Sequence, residues 1–484
     1  MFDRLRPDAP VPITDGYVYR TSLVPGCSAQ PVLTAGADVL GVLSTAPDGR
    51  ERLALTVTMP TAGTGLDLLG YGLVRWATRG VLLGEQRQWL AVDVDDWFLP
   101  TQLADGSTFR LTGAEAQATA DGQDALRARH PLAAQLTLTL AFNASTFVTT
   151  APRQCDPAGT PDALSSYTLC LAGRFRWINH TFAHPALNTT SYAETRAQIT
   201  DNLQRADQAG LTVPRDVLKT PEYSGLGFFA DRPGGEATDH GLGAANQALL
   251  RAAADVGVRW LHGNLSFPSH RPTCANCTTA IPGWPALALV PDWPTSISFQ
   301  ATTPAEAVAA YNAVYGAHGS APTSPPHDVD YAGLISAEAD LAFSHVSSGS
   351  AAAHTLHQGN LHQYAPGHSL VLDWLDAVLE RYDRYYAVPL LDPDWPTLAA
   401  YAADRTSHFA GVAAGDDAVW NRVTRALTLT PAATGRVFVT GIEADGLGQA
   451  VDPADPTERY GSDTVTRVAL VAGRPVAFMT GARP

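Results

Sequence analysis

In Trp89-Leu-Ala-Val-Asp93-Val-Asp95-Asp96-Trp97-Phe98 an apolar run stops abruptly at two adjacent carboxylates. Such a run reads as a buried strand that delivers Asp95 and Asp96 to its C-terminal mouth, where α/β folds collect their reactive groups. Neighbouring side chains on an extended strand point to opposite faces. The pair can therefore share one ion only where the strand breaks into a loop, and Pro100 just downstream fits such a break.

A second apolar run, Arg174-Phe-Arg-Trp-Ile-Asn179-His180-Thr-Phe-Ala-His184-Pro185, ends in two histidines four positions apart. On a helical turn that spacing puts both imidazoles on one side, within reach of a single ion. Asp-His-His supplies three protein ligands and leaves a coordination position for water, the arrangement of a catalytic rather than a structural zinc.

These words resemble a known family. Val94-Asp95-Asp96 and Asn179-His180-Thr-Phe-Ala-His184 are similar to motifs one and two of the NodB-type polysaccharide deacetylases. Gly80-Val-Leu-Leu-Gly84 and His357-Gln-Gly-Asn-Leu361 resemble the branch that includes the fungal galactosaminogalactan deacetylase (carbohydrate esterase family 18), with a more distant similarity to the Pel polysaccharide deacetylases. The resemblance spans roughly residues 35 to 400. It implies a metal-dependent N-deacetylase acting on a polymer of N-acetylgalactosamine or N-acetylglucosamine. Asp96, His180 and His184 would hold Zn²⁺ or another divalent transition metal, and Asp95 would act as the base.

Release of an amine also needs a proton donor. His354, His357 and His362 cluster in one segment, and His357 matches the family word; His362 stays open as its alternative. Lys219-Thr-Pro-Glu222-Tyr223-Ser-Gly225 stands at motif three, where the wider superfamily has an arginine that braces the catalytic Asp. No arginine occurs in that word, so Arg232 or Arg271 would have to serve from a distance, and the Tyr223 amide becomes a candidate oxyanion donor. Tyr223, Trp97 and Arg271 are the candidate substrate-binding residues; Phe228 and Trp293 are further possible sugar-stacking walls. Two other classes remain: a carbohydrate-binding protein on a degenerate barrel, favoured by the missing arginine, and a glycoside hydrolase working with Asp95 and Glu222.

The elements that must position these residues alternate. Strands are expected at Asp38–Ser44 and Arg52–Thr58, and helices at Leu66–Ala77, Tyr192–Ala209, Ala244–Val256, Thr303–Gly316 and Ser369–Tyr382. That rhythm predicts an α/β fold, a distorted and partly open (β/α) barrel of NodB type. An N-terminal α/β segment (1–85) would precede the metal-dependent deacetylase domain (86–404). Short alternating strands beyond it predict a β-sandwich-like accessory domain (405–484).

Composition narrows the rest. The 484 residues carry 45% hydrophobic side chains, ample for a large core, and a net charge of −15, which excludes the basic stripe of a nucleic-acid binder. No apolar run reaches membrane-spanning length. Five cysteines are best read as two disulfides, Cys155–Cys170 and Cys274–Cys277, with Cys27 left over. An oxidising compartment follows, hence a secreted or cell-surface protein whose signal segment is absent from this chain. The sequons at Asn143, Asn188, Asn264 and Asn276 agree with that, whereas Asn179 lies inside the expected site.

Overall fold

The structure is a computed structural model that describes residues 1–13, 16–58, 63–156, 162–232, 235–442 and 457–480. Its centre is a ring of seven parallel strands: β1 (Val92–Asp95), β2 (Thr139–Phe142), β3 (Arg176–Asn179), β4 (Val217–Leu218), β5 (Trp260–Asn264), β6 (Ala288–Pro294) and β7 (Ala353–His357). They follow one another around the barrel in chain order, and β7 returns to pair with β1. The expected NodB-type barrel is present, but the expected opening is not. β5 and β6 pair over five residues and complete the ring, leaving only a thin seam where β3 meets β4 at the single pair Asn179–Leu218.

Period-two alternation sorts each strand into an outer and an inner face. Val92, Val94, Leu140 and Leu356 point outward into the core formed with the surrounding helices. On the inner face an apolar layer lies at the N-terminal end of the strands, including Ala91, Ile178, Val217, Val290 and Ala353. Two residues further on, the same faces carry Asp93, His180, Lys219, Asp292 and Thr355, all buried. Asp95 and His357 stand one step higher, opposite each other in the β1–β7 register. The barrel is thus greasy at its floor and ionic toward its mouth.

The helices start where their sequences dictate. Thr112–Glu115, Ser191–Glu194 and Thr303–Glu306 form reciprocal capping boxes at the starts of Gly113–Arg129, Tyr192–Ala209 and Pro304–Tyr315. Gly210 ends the second of these in a left-handed conformation, φ 67°. Gln247–Asp255 begins later than expected, because a 3-10 turn at Leu242–Ala244 precedes it. The helices Gly113–Arg129, Tyr331–Ser348 and Trp395–Ala414 were not anticipated.

The helix Trp395–Ala414 plugs the floor: Trp395, Leu398 and Ala402 join the inner apolar layer together with Phe438 and Val465. Those last two belong to the C-terminal strands, which form two antiparallel sheets around a shared core of Leu427, Leu429, Val437, Val439, Val468 and Phe478. Leu82–Leu83 adds a strand to the larger of the two. A three-stranded antiparallel sheet over residues 30–55 and the helix Thr64–Ala77 make up most of the N-terminal region. Both expected disulfides form, and Cys27 is free and exposed. All four expected sequon amides are committed to the fold: Asn143 donates to the carbonyls of His180 and Thr181, Asn276 donates to Gly349, buried Asn264 accepts from Ser266, and Asn188 accepts from Gly225.

Candidate metal centre and active site

Asp96 follows directly after β1 with φ 69°, and that left-handed residue is the break that lets its carboxylate turn to the same centre as Asp95. The histidine pair is also brought together by strain rather than by a helical turn. Thr181 (φ 65°) and His184 (φ 56°) fold residues 180–184 into a tight loop, placing the two imidazole rings 4.8 Å apart. Asn143 straps that loop from one side, and Gln198 accepts from the Phe182 amide through its carbonyl and from Ala183 through its side chain. Glu222 and Tyr223 are left-handed as well. Non-glycine residues with positive φ cost of order 1–3 kcal/mol each and persist where the surroundings hold them in place; here five gather at one mouth.

The donor set fits a divalent metal. One ligand atom from each of Asp96, His180 and His184 lies within 4.8 Å of the others. Asp96 Oδ1 stands 3.4 Å from His180 Nε2 and 3.2 Å from His184 Nε2. Both Asp96 Oδ1 and His180 Nε2 are buried without a hydrogen-bond partner. His180 Nδ1 lies 2.8 Å from the Lys219 carbonyl and donates to it, which turns the lone pair of Nε2 toward the centre. Burial pushes the Asp96 carboxyl up, yet the imidazoles of His180, His184 and His357 around it hold it below the usual range. Burial, reinforced by the neighbouring His180, pushes His184 down to about 4, so it presents a neutral imidazole. A neutral imidazole and an ionised carboxylate are the forms that bind metal.

Beneath this centre lies an ionic cluster that sequence reasoning missed. Lys219 Nζ sits 3.0 Å from Asp93, 3.2 Å from Asp95 and 3.5 Å from Asp292, and donates to Thr355 Oγ1 at 2.7 Å. Thr355 donates in turn to Asp292. An unpaired ion here would cost several kcal/mol to desolvate, so the cation needs its carboxylates and they need it. Burial alone would lower the Lys219 pKa, but Asp292, Asp93 and Asp95 raise it and keep the ammonium charged. Burial raises Asp93 and Asp292, the latter to about 6, against the pull of Lys219.

Lys219 therefore stands where the motif-three arginine was missing, and neither Arg232 nor Arg271 is needed. A signal for it existed: Lys219 is the sole lysine of the chain, against 31 arginines. A compact ammonium with rotatable donors suits oxygens converging from several strands better than a planar guanidinium.

The remaining candidates separate. His357 faces the mouth across from Asp95, with Phe299, itself 46% exposed, 5.6 Å from its ring. The turn after it is fixed by Asn360, which accepts from the His357 amide, and by Gln358, which binds the Leu111 amide and Thr101. His362 bonds Glu115 at 2.6 Å. His354 lies on the outer face, 3.1 Å from His345. Trp97 is no sugar wall: it is fully buried, donates to Thr168 at 2.8 Å, and packs against Phe175 and Trp177. Arg271 donates to the Leu265 and Ser266 carbonyls and borders, with Trp293, a cavity of about 920 Å³ that none of the metal-ligand candidates lines.

The Tyr223 phenol donates to Asp292 at 2.9 Å, while its amide faces the Thr220 carbonyl at 3.3 Å and is not free for an oxyanion. Phe228 stacks on Phe267, whose ring lies 5.9 Å from that of Tyr223. Glu222 is exposed, and the carboxylates that share a cation with Asp95 are Asp93 and Asp292 instead.

Comparison with known proteins agrees with this geometry. Residues 160–410, just over half the chain, match the family model described as the Agd3 deacetylase domain. A crystal structure of Agd3, described as a novel carbohydrate deacetylase, superposes with a TM-score of 0.78 at 19% identity, covering 99% of this chain and 79% of that one. A chitin deacetylase from the fungal pathogen Colletotrichum lindemuthianum is more remote, with a TM-score of 0.34, 14% identity, and coverage of 64% and 91%. The family 4 carbohydrate esterase from Streptomyces lividans gives 0.28, 10% identity, and coverage of 62% and 90%. No curated protein matches the chain. The chain belongs to the family of the Agd3 deacetylase domain and is a polysaccharide deacetylase.

Proposed function

We propose that the protein removes N-acetyl groups from an amino-sugar polysaccharide, one containing N-acetylgalactosamine or N-acetylglucosamine, in a metal-dependent reaction that releases acetate. The observation that carries this reading is the juxtaposition of Asp96, His180 and His184 with Asp95 beside them and His357 across the mouth. Asp96, His180 and His184 are the ligands, with Zn²⁺ the preferred ion for a donor set of two imidazoles and a carboxylate. A divalent ion held there supplies Lewis acidity, lowering the pKa of water in the site and stabilising the negative charge that builds on the acetyl oxygen.

The chain's own residues do the rest. Asp95, fixed by the Lys219 ammonium at 3.2 Å, accepts the proton of the attacking water. Lys219 holds that carboxylate in place and offsets its charge. His357 gives a proton to the leaving nitrogen as the amide bond breaks, yielding acetate and a free amino sugar. Tyr223 and Phe299 border the entering sugar. Lys219 also removes the main support for a degenerate, binding-only barrel, since the bracing cation is present in another form.

The domain division at 85 and a secreted or cell-surface location belong to the same proposal; a division at 404 would cut the continuous helix Trp395–Ala414, so the C-terminal boundary is placed after that helix. Two disulfides support the location, and among the described residues no helix is long and apolar enough to cross a membrane. The test is metal analysis of the purified chain together with acetate release from N-acetylated amino-sugar polymers. A chain free of metal after zinc loading, or release of reducing ends in place of acetate, would sink the reading.

A further inference from the structure

The floor of the barrel contains a second polar contact with no packing purpose. Trp395 is 2% exposed, and its Nε1 donates to Asp93, lying 3.0 and 2.9 Å from the two carboxylate oxygens. Asp93, fully buried, is the carboxylate that receives the Lys219 ammonium at 3.0 Å. Lys219 reaches Asp95 at 3.2 Å. A continuous chain of polar contacts therefore runs from the indole at the floor to the carboxylate beside the metal centre.

We propose that Trp395 is a positioning residue for the reaction: through Asp93 it seats the Lys219 ammonium, and through Lys219 it fixes Asp95. The inference rests on the reading of Asp95 as the base. A lysine ends in a point charge on a flexible four-carbon stem, so its place is set by what anchors it rather than by its own shape. Asp93, Asp292 and Thr355 hold it within its own layer and Asp95 from one step higher; of these anchors Asp93 is the one that receives a donor from the floor. If Asp93 loses its second donor, that anchor of the ammonium loosens and the ammonium can shift. A tryptophan needed only to fill the floor would require its ring, not a donor aimed at a carboxylate.

Trp395 is itself held rigidly. It opens the helix Trp395–Ala414, whose N-terminus is capped by Asp394, accepting from the Thr397 amide at 3.0 Å, with Pro396 in the first turn. The same helix is clamped by the C-terminal sheet. Tyr401 packs on Phe438 with ring centroids 5.6 Å apart, Ser407 accepts from the Arg436 amide at 2.8 Å, and Asp404 pairs with Arg467 at 3.0 Å. The C-terminal strands thereby support the catalytic carboxylate from below, across the whole depth of the barrel.

The test uses the zinc-loaded full-length chain with Trp395→Phe, which keeps an aromatic ring and removes the donor, alongside Asp93→Asn and the double variant. For Trp395→Phe, kcat is expected to fall about tenfold with KM within twofold and metal content unchanged. Because Trp395 acts through Asp93, the double variant should be within twofold of Asp93→Asn alone, whereas independent effects would multiply. An unchanged kcat in Trp395→Phe, multiplying losses, or a loss that tracks metal content would overturn the proposal.

A second readout needs neither turnover nor the Asp93 variant. Since the chain has one lysine, ¹⁵N-lysine labelling gives a single Nζ resonance. It should shift in Trp395→Phe, and a resonance that stays in place overturns the seating of the ammonium whatever the activity. Failure of the base reading shows elsewhere, as wild-type protein that releases no acetate.

Discussion

Two histidine pairs lie on opposite sides of the barrel wall. His180 and His184 meet at the mouth, on a strained loop, with Asp96 Oδ1 within 3.4 Å of both and His180 Nε2 unpartnered. His345 and His354 meet 3.1 Å apart on the outer face, between the indoles of Trp293 and Trp374, with ring centroids at 4.3 and 5.7 Å. No carboxylate is paired with the outer two among the described residues. The mouth pair is surrounded by charge that calls for a cation, whereas burial forces the outer pair neutral, to about 4 for His345 and about 3 for His354. Proximity of imidazoles is thus no sign of a metal site; a third, anionic donor and unfilled lone pairs are.

The largest effect should come from the mouth pair. His180→Ala and His184→Ala each delete one of three protein ligands, so bound metal and acetate release should both fall by more than about 100-fold with the fold intact by circular dichroism. The same substitution at His345 should leave metal stoichiometry untouched. Stoichiometric zinc in either mouth variant would erase the distinction between the pairs.

Next come the neighbouring carboxylates. Asp95→Asn should keep its metal while kcat drops by about two to four orders of magnitude, the range of a positioned proton-transfer group. Asp96→Asn should lose metal first and recover in part when zinc is added. Metal titration of both variants checks the order, and the reverse pattern would exchange their roles.

His357→Ala should lower kcat by about 100-fold or more, and His362→Ala by much less, because His362 is tied to Glu115 instead of facing Asp95. Comparable losses would show that both histidines serve the proton transfer.

The outer pair should reveal itself in stability, not turnover. Both side chains have pKa values below 6.5 in the folded state, so the unfolded chain binds more protons as pH falls. Their contribution is complete above pH 6.5 and is lost progressively as pH drops toward 4. Each histidine adds at most about 1.4 kcal/mol per pH unit to that slope. Denaturant titrations of His345→Phe between pH 6.5 and 4 should show a shallower decline than wild type, and an unchanged slope would mean the pair is not buried neutral. Arg271→Ala should have the smallest effect, leaving kcat/KM within about twofold, since its guanidinium serves a loop beside a different cavity.

Legibility of this molecule in its sequence followed the local character of each signal. Asp95, Asp96, His180 and His184 announce themselves through apolar runs that end in ligand types, and capping boxes announce Tyr192–Ala209 and Pro304–Tyr315. The loop conformation of His180–His184 was not readable, because four-residue spacing suits a helix as well as a strained turn. The helix Trp395–Ala414 escaped notice because it is apolar toward both the barrel floor and the C-terminal sheet, leaving no clean one-sided stripe. Asp93, Asp292 and Thr355 lie on three separate strands, and only closure of the ring brings them to Lys219. Trp97 misled for the opposite reason: adjacency to Asp96 in sequence says nothing about direction after a left-handed residue.

With its single lysine sealed in the barrel, the protein presents no side-chain primary amine to solvent. Its proposed product is a polymer studded with such amines. A reagent specific for primary amines would therefore mark the product's sugars while sparing the side chains of the enzyme that exposed them. The same property lets turnover be followed by amine labelling in place, with a protein background limited to the chain terminus. Aldehydes and activated esters, which cross-link most proteins through surface lysines, would find almost nothing to join here except the deacetylated polysaccharide.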